Sequence, residues 1–365
     1  MHHGKYGRQM SLNRFSILAG ASMLTATSVI ALAQDKGAPA ATPADRTAPA
    51  ENMAADYPAP KLYPQELRER VAEHLSRARK LAGADLFQDM AYRCIVSPVF
   101  PDRVARMEYN AKITPTKLFD NFYSIGQNAV SAHALTTSAG IIIFDTLSSE
   151  DEAKNLLVPN MAKLGLNPGD IKYIVISHEH LDHIGGARYL QKTYGAKVIA
   201  STVAWGVVAD FVHAKPGNDL LVPDKEIEMG DGQSLTLGNT RVTFYLTPGH
   251  TKGTLSSIFS VTDGGTPHVV GYFGGTGAAP TNPEWERDQI ASLEKWAPIA
   301  LKAGVDVNIT NHPLHSEALE KEELLRYRLP GDANPLVLGK AVYQRYVKIQ
   351  EECAKVQLAR LGFDK

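Results

Sequence analysis

Apolar residues recur along this chain in two rhythms, one helical and one alternating, and their order predicts the architecture. Leu67, Val71, His74, Leu75 and Ala78 fall at helical spacing, which predicts a helix from Pro64 to Leu81 with Pro64 in its first turn. His74 reads there as a helix-face residue. Between Lys117 and Asp145 the rhythm shortens. Phe119–Ile125, Ala129–Thr137 and Ile141–Phe144 are short runs separated by Gly126 and Gly140, the pattern of a β-meander. Asp145 closes its third strand and reads as an orienting or turn residue. An amphipathic helix over Glu150–Leu164, a strand over Ile171–Ile176, a helix over Ala187–Tyr194, a strand over Lys197–Ala200 and a helix over Val203–His213 follow.

A second β-rich stretch then begins. Glu226–Glu228, Gln233–Leu237, Thr240–Leu246, Leu255–Val261 and His268–Phe273 are separated by Asp-Gly and Gly-Asn turns. Helix over Asn282–Ala303, strand over Val305–Thr310 and helices over Ser316–Tyr327 and about Lys340–Leu361 complete the chain. The order is meander, β/α, meander, β/α. Two face-to-face sheets with helices outside bury such a pattern around one core, so the expected fold class is α/β, an αββα sandwich over residues 63–365. Residues 34–62, rich in Ala, Pro, Asp and Lys without periodicity, read as a disordered tether.

The chemistry concentrates in Ser177-His178-Glu179-His180-Leu181-Asp182-His183-Ile184-Gly185-Gly186, directly after a predicted strand. Packing alone gives no reason to crowd three imidazoles and a carboxylate, because each buried polar group needs a partner. A divalent metal satisfies several together, and His with Asp suits zinc. A solvated histidine-rich loop is the bland alternative. His250 in Pro248-Gly249-His250-Thr251 and His312 in Asn311-His312-Pro313 also stand at strand exits.

Bulk properties narrow the partners. The 365-residue chain is 44% hydrophobic and 21% charged with a net charge of -1, as expected of a globular protein with a sizeable core. No long basic run points to nucleic acid or an anionic membrane surface; a small-molecule substrate is expected. Lys5, Arg8 and Arg14 precede the apolar segment Phe15–Ala33, which ends Ala31-Leu32-Ala33. That is the layout of a cleavable secretory signal over 1–33, with a membrane anchor as the alternative and Met10 as a second possible start. The expected location is the periplasm. Cys94 and Cys353 are the two cysteines; in an exported chain they invite a disulfide, though two unpaired buried thiols fit as well.

The string H-x-H-x-D-H-x-G-G at His178–Gly186, the P-G-H-T at Pro248–Thr251 and the strand-end His312 together resemble the metallo-β-lactamase superfamily over roughly residues 115–315, and within it subclass B3. The resemblance implies two zinc ions, one held by His178, His180 and His250, the other by Asp182, His183 and His312, with His315 a rival for the last place. It implies a hydrolase in which metal-activated water opens a β-lactam amide and Asp182 orients that water or passes its proton. Another di-zinc hydrolase, acting on a lactone, ester or halogenated aromatic, and a metal-binding protein without turnover are the alternatives. The final helix, Glu352–Ala359, is similar to the B3 C-terminus. Its family cysteine partner has no counterpart near Gly304, so the resemblance leaves Cys94 as the partner of Cys353. Thr276 stands near where B3 enzymes use a serine to bind substrate. Most hydrolases of the superfamily bridge their metals with an Asp, but Gly271–Ala279 holds no carboxylate. Asp182 would then be the one anionic protein ligand, and an anionic substrate is favoured.

Overall fold

A computed structural model describes residues 62–109, 111–277 and 281–364. The expected signal segment and all of the expected tether except Leu62 lie outside the described residues, which fall in one compact unit, Pro58–Lys365. Seven strands form the first sheet in chain order: β1 (Thr116–Phe119), β2 (Phe122–Ser124), β3 (His133–Thr137), β4 (Gly140–Phe144), β5 (Ile171–Val175), β6 (Lys197–Ser201) and β7 (Ile227–Met229). The first four pair antiparallel. From β4 onward pairing is parallel, because helical crossovers including Ala187–Tyr194 and Thr202–Ala214 now join the strands. The second sheet adds β8 (Ser234–Leu237), β9 (Thr240–Leu246), β10 (Leu255–Asp263), β11 (Thr266–Phe273) and β12 (Val307–Thr310), in the order β12-β11-β10-β9-β8. Only β11 and β12 are parallel there, joined through helix Pro283–Ala303.

Side-chain alternation shows why the sheets stack. On β4, Ile141 and Ile143 join the apolar cluster under the outer helices, while Ile142 and Phe144 join the cluster between the sheets. Phe144 stacks on Phe259 of β10 and Tyr272 of β11 at ring separations of 4.9 and 5.3 Å. A third cluster lies between the second sheet and helices Arg68–Ala82, Pro283–Ala303 and Lys340–Arg360. Three apolar layers separate four structural ones, the expected αββα sandwich. Among the described residues no helix is long and apolar enough to cross a membrane.

Three local expectations are corrected. Phe119–Ile125 is two strands, not one. The turn between them is tied down because Asn121 accepts from Thr136 N–H (2.9 Å) and, through Oδ1, from Thr262 N–H (3.1 Å). Residues 129–132 form a loop before β3, anchored where Ser131 N–H donates to the Asn311 carbonyl (2.9 Å). The first helix starts at Arg68 rather than Pro64, since Leu67 N–H instead donates to the Ala359 carbonyl of the last helix (2.9 Å).

Residues 83–115, which the pattern left without elements, carry helical turns over Phe87–Ala91, Tyr92–Val96, Ser97–Val99 and Pro101–Met107. Cys94 on this segment and Cys353 on the last helix form a disulfide with Cα atoms 4.6 Å apart. His74 lies on its helix as expected, but buried, bridging Glu352 (2.7 Å) and Asp364 (2.8 Å).

Candidate metal centre

The ends of β4, β5, β11 and β12 meet at one edge of the sandwich. Asp145 follows β4 with a left-handed φ of 57°, a costly conformation for a residue with a Cβ. It is fully buried and accepts from Ser177 N–H (2.8 Å), Ser177 Oγ (2.7 Å), His183 Nδ1 (2.9 Å) and Tyr272 Oη (3.2 Å). That strained carboxylate therefore fixes both the start of the histidine motif and one of its imidazoles, as an orienting residue would. Asn311 adds a second tie: its Nδ2 donates to the Gly274 carbonyl (2.7 Å) and to Ser177 Oγ (3.0 Å).

Donor atoms converge in two groups. Ligand atoms of His178, His180 and His250 lie within 4.8 Å of one another, as do those of His178, Asp182 and His183. His180 Nδ1 and His250 Nε2 are 3.2 Å apart. His183 Nε2 is 3.2 Å from Asp182 Oδ2 and 3.2 Å from His312 Nε2, which is itself 3.6 Å from Asp182 Oδ2. His315 is placed elsewhere: its Nδ1 touches Thr276 Oγ1 and its Nε2 is 3.8 Å from Glu108 Oε1. Of the two rivals, His312 is the one beside Asp182 and His183. Glu179 turns away and accepts from Thr251 Oγ1 (2.9 Å).

The outer nitrogens decide what the inner ones can do. A carbonyl only accepts, so the ring nitrogen facing it carries the proton. His178 Nδ1 faces the Gly274 carbonyl (3.0 Å), His312 Nδ1 the Ala129 carbonyl (2.8 Å) and His250 Nδ1 the Gly277 carbonyl. His183 Nδ1 faces the Asp145 carboxylate. The three that face carbonyls therefore turn a bare Nε2 inward, the tautomer a metal ligand needs, while Asp145 orients the fourth ring through its Nδ1. His178 Nε2 is buried with no hydrogen-bond partner, and a cation would satisfy it. Burial, reinforced by the neighbouring histidines, pushes His178 well below the usual range and His250 down to about 3. Burial also pushes His312 down to about 4. His183 departs the other way: burial opposes its charge, but Asp145 and Asp182 outweigh it and raise it to about 9. Burial works against the Asp182 anion, yet His183 and His312 hold it well below its ordinary value. The donor set, its tautomers and its orphaned nitrogen fit zinc.

The glycine pair where a bridging carboxylate would stand has a steric cause. A Cβ on Gly275 would come 2.5 Å from His250 Cβ, and one on Gly274 would come 2.3 Å from the Leu255 carbonyl oxygen. No side chain fits there while His250 keeps its place.

Two cavities of about 310 Å³ each flank His180. One is polar and lies over His180, Asp182, His250 and His312. Its far wall comes from the segment that had no predicted element: Tyr92, Arg93, Ser97, Pro98, Val104 and Glu108, with Glu286 from helix Pro283–Ala303. Tyr92 Oη donates to Glu108 Oε1 (2.9 Å); burial and the Asp182 charge raise the Glu108 carboxyl. Sequence reasoning missed this wall, since single polar residues on an irregular helix carry no motif. The other cavity is apolar, lined by Leu181, Val207, Val208, Phe211, Val222 and Trp285 among others. Thr276 is buried and faces neither cavity directly.

Comparison with known proteins agrees with this geometry. The family model of the metallo-beta-lactamase superfamily matches residues 125–262. A "probable polyketide biosynthesis zinc-dependent hydrolase" of Bacillus subtilis is 31% identical over 91 residues, 25% of this chain and 36% of that protein. A hydroxyacylglutathione hydrolase of Acidiphilium cryptum is 30% identical over 91 residues, 25% of this chain and 32% of its own length. The alignments thus span about a third of these relatives. Among solved structures, the subclass B3 metallo-β-lactamase of Bradyrhizobium japonicum is 27% identical, with a TM-score of 0.54 over 66% of this chain and 92% of that one. The superfamily match runs through the histidine motif, and 92% of a subclass B3 enzyme overlays on the sandwich that carries it, so the chain has the metallo-β-lactamase fold with its histidine motif inside the matched stretch.

Proposed function

We propose that the protein is an exported zinc-dependent hydrolase that opens the amide of a β-lactam at a two-zinc centre. His178, His180 and His250 would hold one ion; Asp182, His183 and His312 would hold the other. Zinc there supplies a Lewis acid and a means of making water acidic near neutral pH. The chain's own part is positional and electrostatic. Three imidazoles locked by carbonyls, His178, His250 and His312, present neutral lone pairs, and Asp145 keeps His183 oriented from behind. Asp182 stays ionised at neutral pH and, 35% exposed at the cavity wall, can orient the attacking water and accept its proton. Gly274 and Gly275 put no carboxylate beside His250, which supports an anionic substrate. Export is supported by the signal-like N-terminal pattern and by the Cys94–Cys353 disulfide, a bond suited to an oxidising compartment.

One observation carries the reading: six donors on three separate segments converge, three of the imidazoles with tautomers set for metal by carbonyls, on a B3-type sandwich. The test is hydrolysis of a chromogenic cephalosporin by purified protein. EDTA should abolish it and zinc restore it; turnover that resists chelation refutes the mechanism. Failure on cephalosporins with hydrolysis of an apolar lactone or ester would move the assignment to the second reading, which the apolar cavity beside His180 favours. No hydrolysis of either class would leave a metal-binding protein.

A further inference from the structure

We infer that Arg93 is the specificity residue of the polar cavity, receiving a carboxylate of the substrate. This deepens the hydrolase reading and rests on it for its kinetic test alone. The guanidinium lies flat against backbone: a Cβ placed on Gly277 would come 3.1 Å from its Nη1, 3.2 Å from Cζ and 3.3 Å from Nη2. The carbonyl of that same Gly277 accepts from His250 Nδ1. Arg93 therefore stands one residue of backbone away from a histidine of the metal centre and lines the same cavity.

One nitrogen of its guanidinium is unfilled. Nη2 is buried without a partner, and among the described residues no carboxylate forms an ion pair with Arg93. Glu286 faces the cavity too, buried, and its Oε2 is also without a partner. The two charges share a space without meeting. Burial pushes Glu286 up to about 7, against the pull of Arg93, so its negative charge is only partial at neutral pH. A buried guanidinium nitrogen with no acceptor is costly to maintain, and a planar carboxylate is the group its fork geometry matches.

The backbone beneath Arg93 is held on both sides. Tyr92 is tied to Glu108, and Cys94 is bonded to Cys353, while Arg360 Nη1 donates to the Cys94 carbonyl (2.6 Å). A recognition group anchored this way loses little freedom on binding. Arg93 also lies outside residues 125–262, so the helical segment 87–107 brings to the centre a cation that the histidine motif does not provide.

The test uses zinc-loaded full-length protein, wild type against Arg93→Met and Arg93→Lys. In the kinetic arm, a chromogenic cephalosporin and its methyl ester are compared. Arg93→Met should raise KM for the free acid at least tenfold, leave kcat within about threefold and leave the ester unaffected; Arg93→Lys should recover part of the loss. In the binding arm, benzoate is titrated calorimetrically. Wild type should bind it and Arg93→Met at least tenfold more weakly. If wild type hydrolyses no cephalosporin the β-lactam reading fails, and the benzoate arm still decides on Arg93. Wild type that ignores benzoate, or Arg93→Met that matches wild type in KM and benzoate affinity, overturns the inference. A lower melting temperature with unchanged benzoate affinity would make Arg93 a structural counter-ion of Glu286 and also overturns it. Should Arg93→Met not fold, Arg93→Lys decides: its loss of the bidentate fork should weaken benzoate several-fold, and equal affinity refutes.

Discussion

Replacing Asp145 by Asn is nearly isosteric, yet it should damage both stability and metal binding. All four partners of the carboxylate are donors, with Oδ1 accepting one bond and Oδ2 three. An amide can present its oxygen to only one of those sides. The cheaper orientation keeps the three bonds and turns the NH2 toward Ser177 N–H, where donor meets donor at the present 2.8 Å. Losing one hydrogen bond to a charged acceptor and weakening three more costs about 3 kcal/mol. The site is fully buried, so water cannot repair it. His183 would also lose the anion behind its imidazole, and removing such a partner typically lowers metal affinity 10–100-fold. Urea unfolding of the zinc-free protein checks the first expectation, and zinc competition against a chelating dye checks the second. Unchanged midpoint and unchanged affinity together would show that Asp145 does not orient the centre.

Other outcomes follow from the same coordinates. Gly275→Ser should displace His250, whose Cβ lies 2.5 Å from the added Cβ, and weaken zinc at least tenfold in the same competition assay; wild-type affinity would refute the steric account. Asp182→Ala should slow hydrolysis by orders of magnitude while Glu179→Ala, whose carboxylate points to Thr251, stays near wild type; equal rates would count against the assignment. Reduction of Cys94–Cys353, which spans 259 residues, should cost roughly 2–5 kcal/mol, read as a lower urea midpoint in dithiothreitol. Burial, opposed by Ser124, Arg326 and Thr116, raises the Glu322 carboxyl from 4.5 to about 7. The folded state then holds a proton that the unfolded chain has released, so stability from this group is full below pH 4.5 and falls as pH rises toward 7. Glu322→Gln should remove that fall and be the more stable protein at pH 8, by roughly 3 kcal/mol at most; parallel pH–stability curves would contradict it.

Much of the fold was legible because its strands are short apolar runs and its turns use Gly, Asp and Asn. Ile141–Phe144 shows the limit as well as the reach of that signal. Four apolar residues in a row announce a strand buried on both faces, but not which neighbour covers which face. Boundaries slipped where a long-range bond overrode local preference, as when Leu67 N–H found Ala359 and Pro64 lost the helix start. The charge argument also shifts once the chain is folded. Asp182 is the one carboxylate among the six proposed ligands, yet Asp145 and Glu108 bring further carboxylate groups close to it. Asp145 was legible as an orienting or turn residue at a strand end, but Glu108 carried no signal in the chain.

The sequence by itself determined the local chemistry: three histidines and an aspartate packed into six residues, strand-exit positions for His250 and His312, and a sandwich of two β/α halves. Those are short-range patterns, written in periodicity and spacing. Tertiary structure alone decided which nitrogen is bare on His178, His250 and His312, since the carbonyls of Gly274, Gly277 and Ala129 that fix their tautomers come from other segments of the chain. It directs His312 toward Asp182 and His315, only three residues on, toward Glu108. It decided, too, that an irregular helix near the N-terminus becomes the far wall of the cavity, because a disulfide and the last helix hold it there. Spacing records what lies next along the chain, whereas these choices depend on hydrogen bonds and contacts between segments 27 to 259 residues apart.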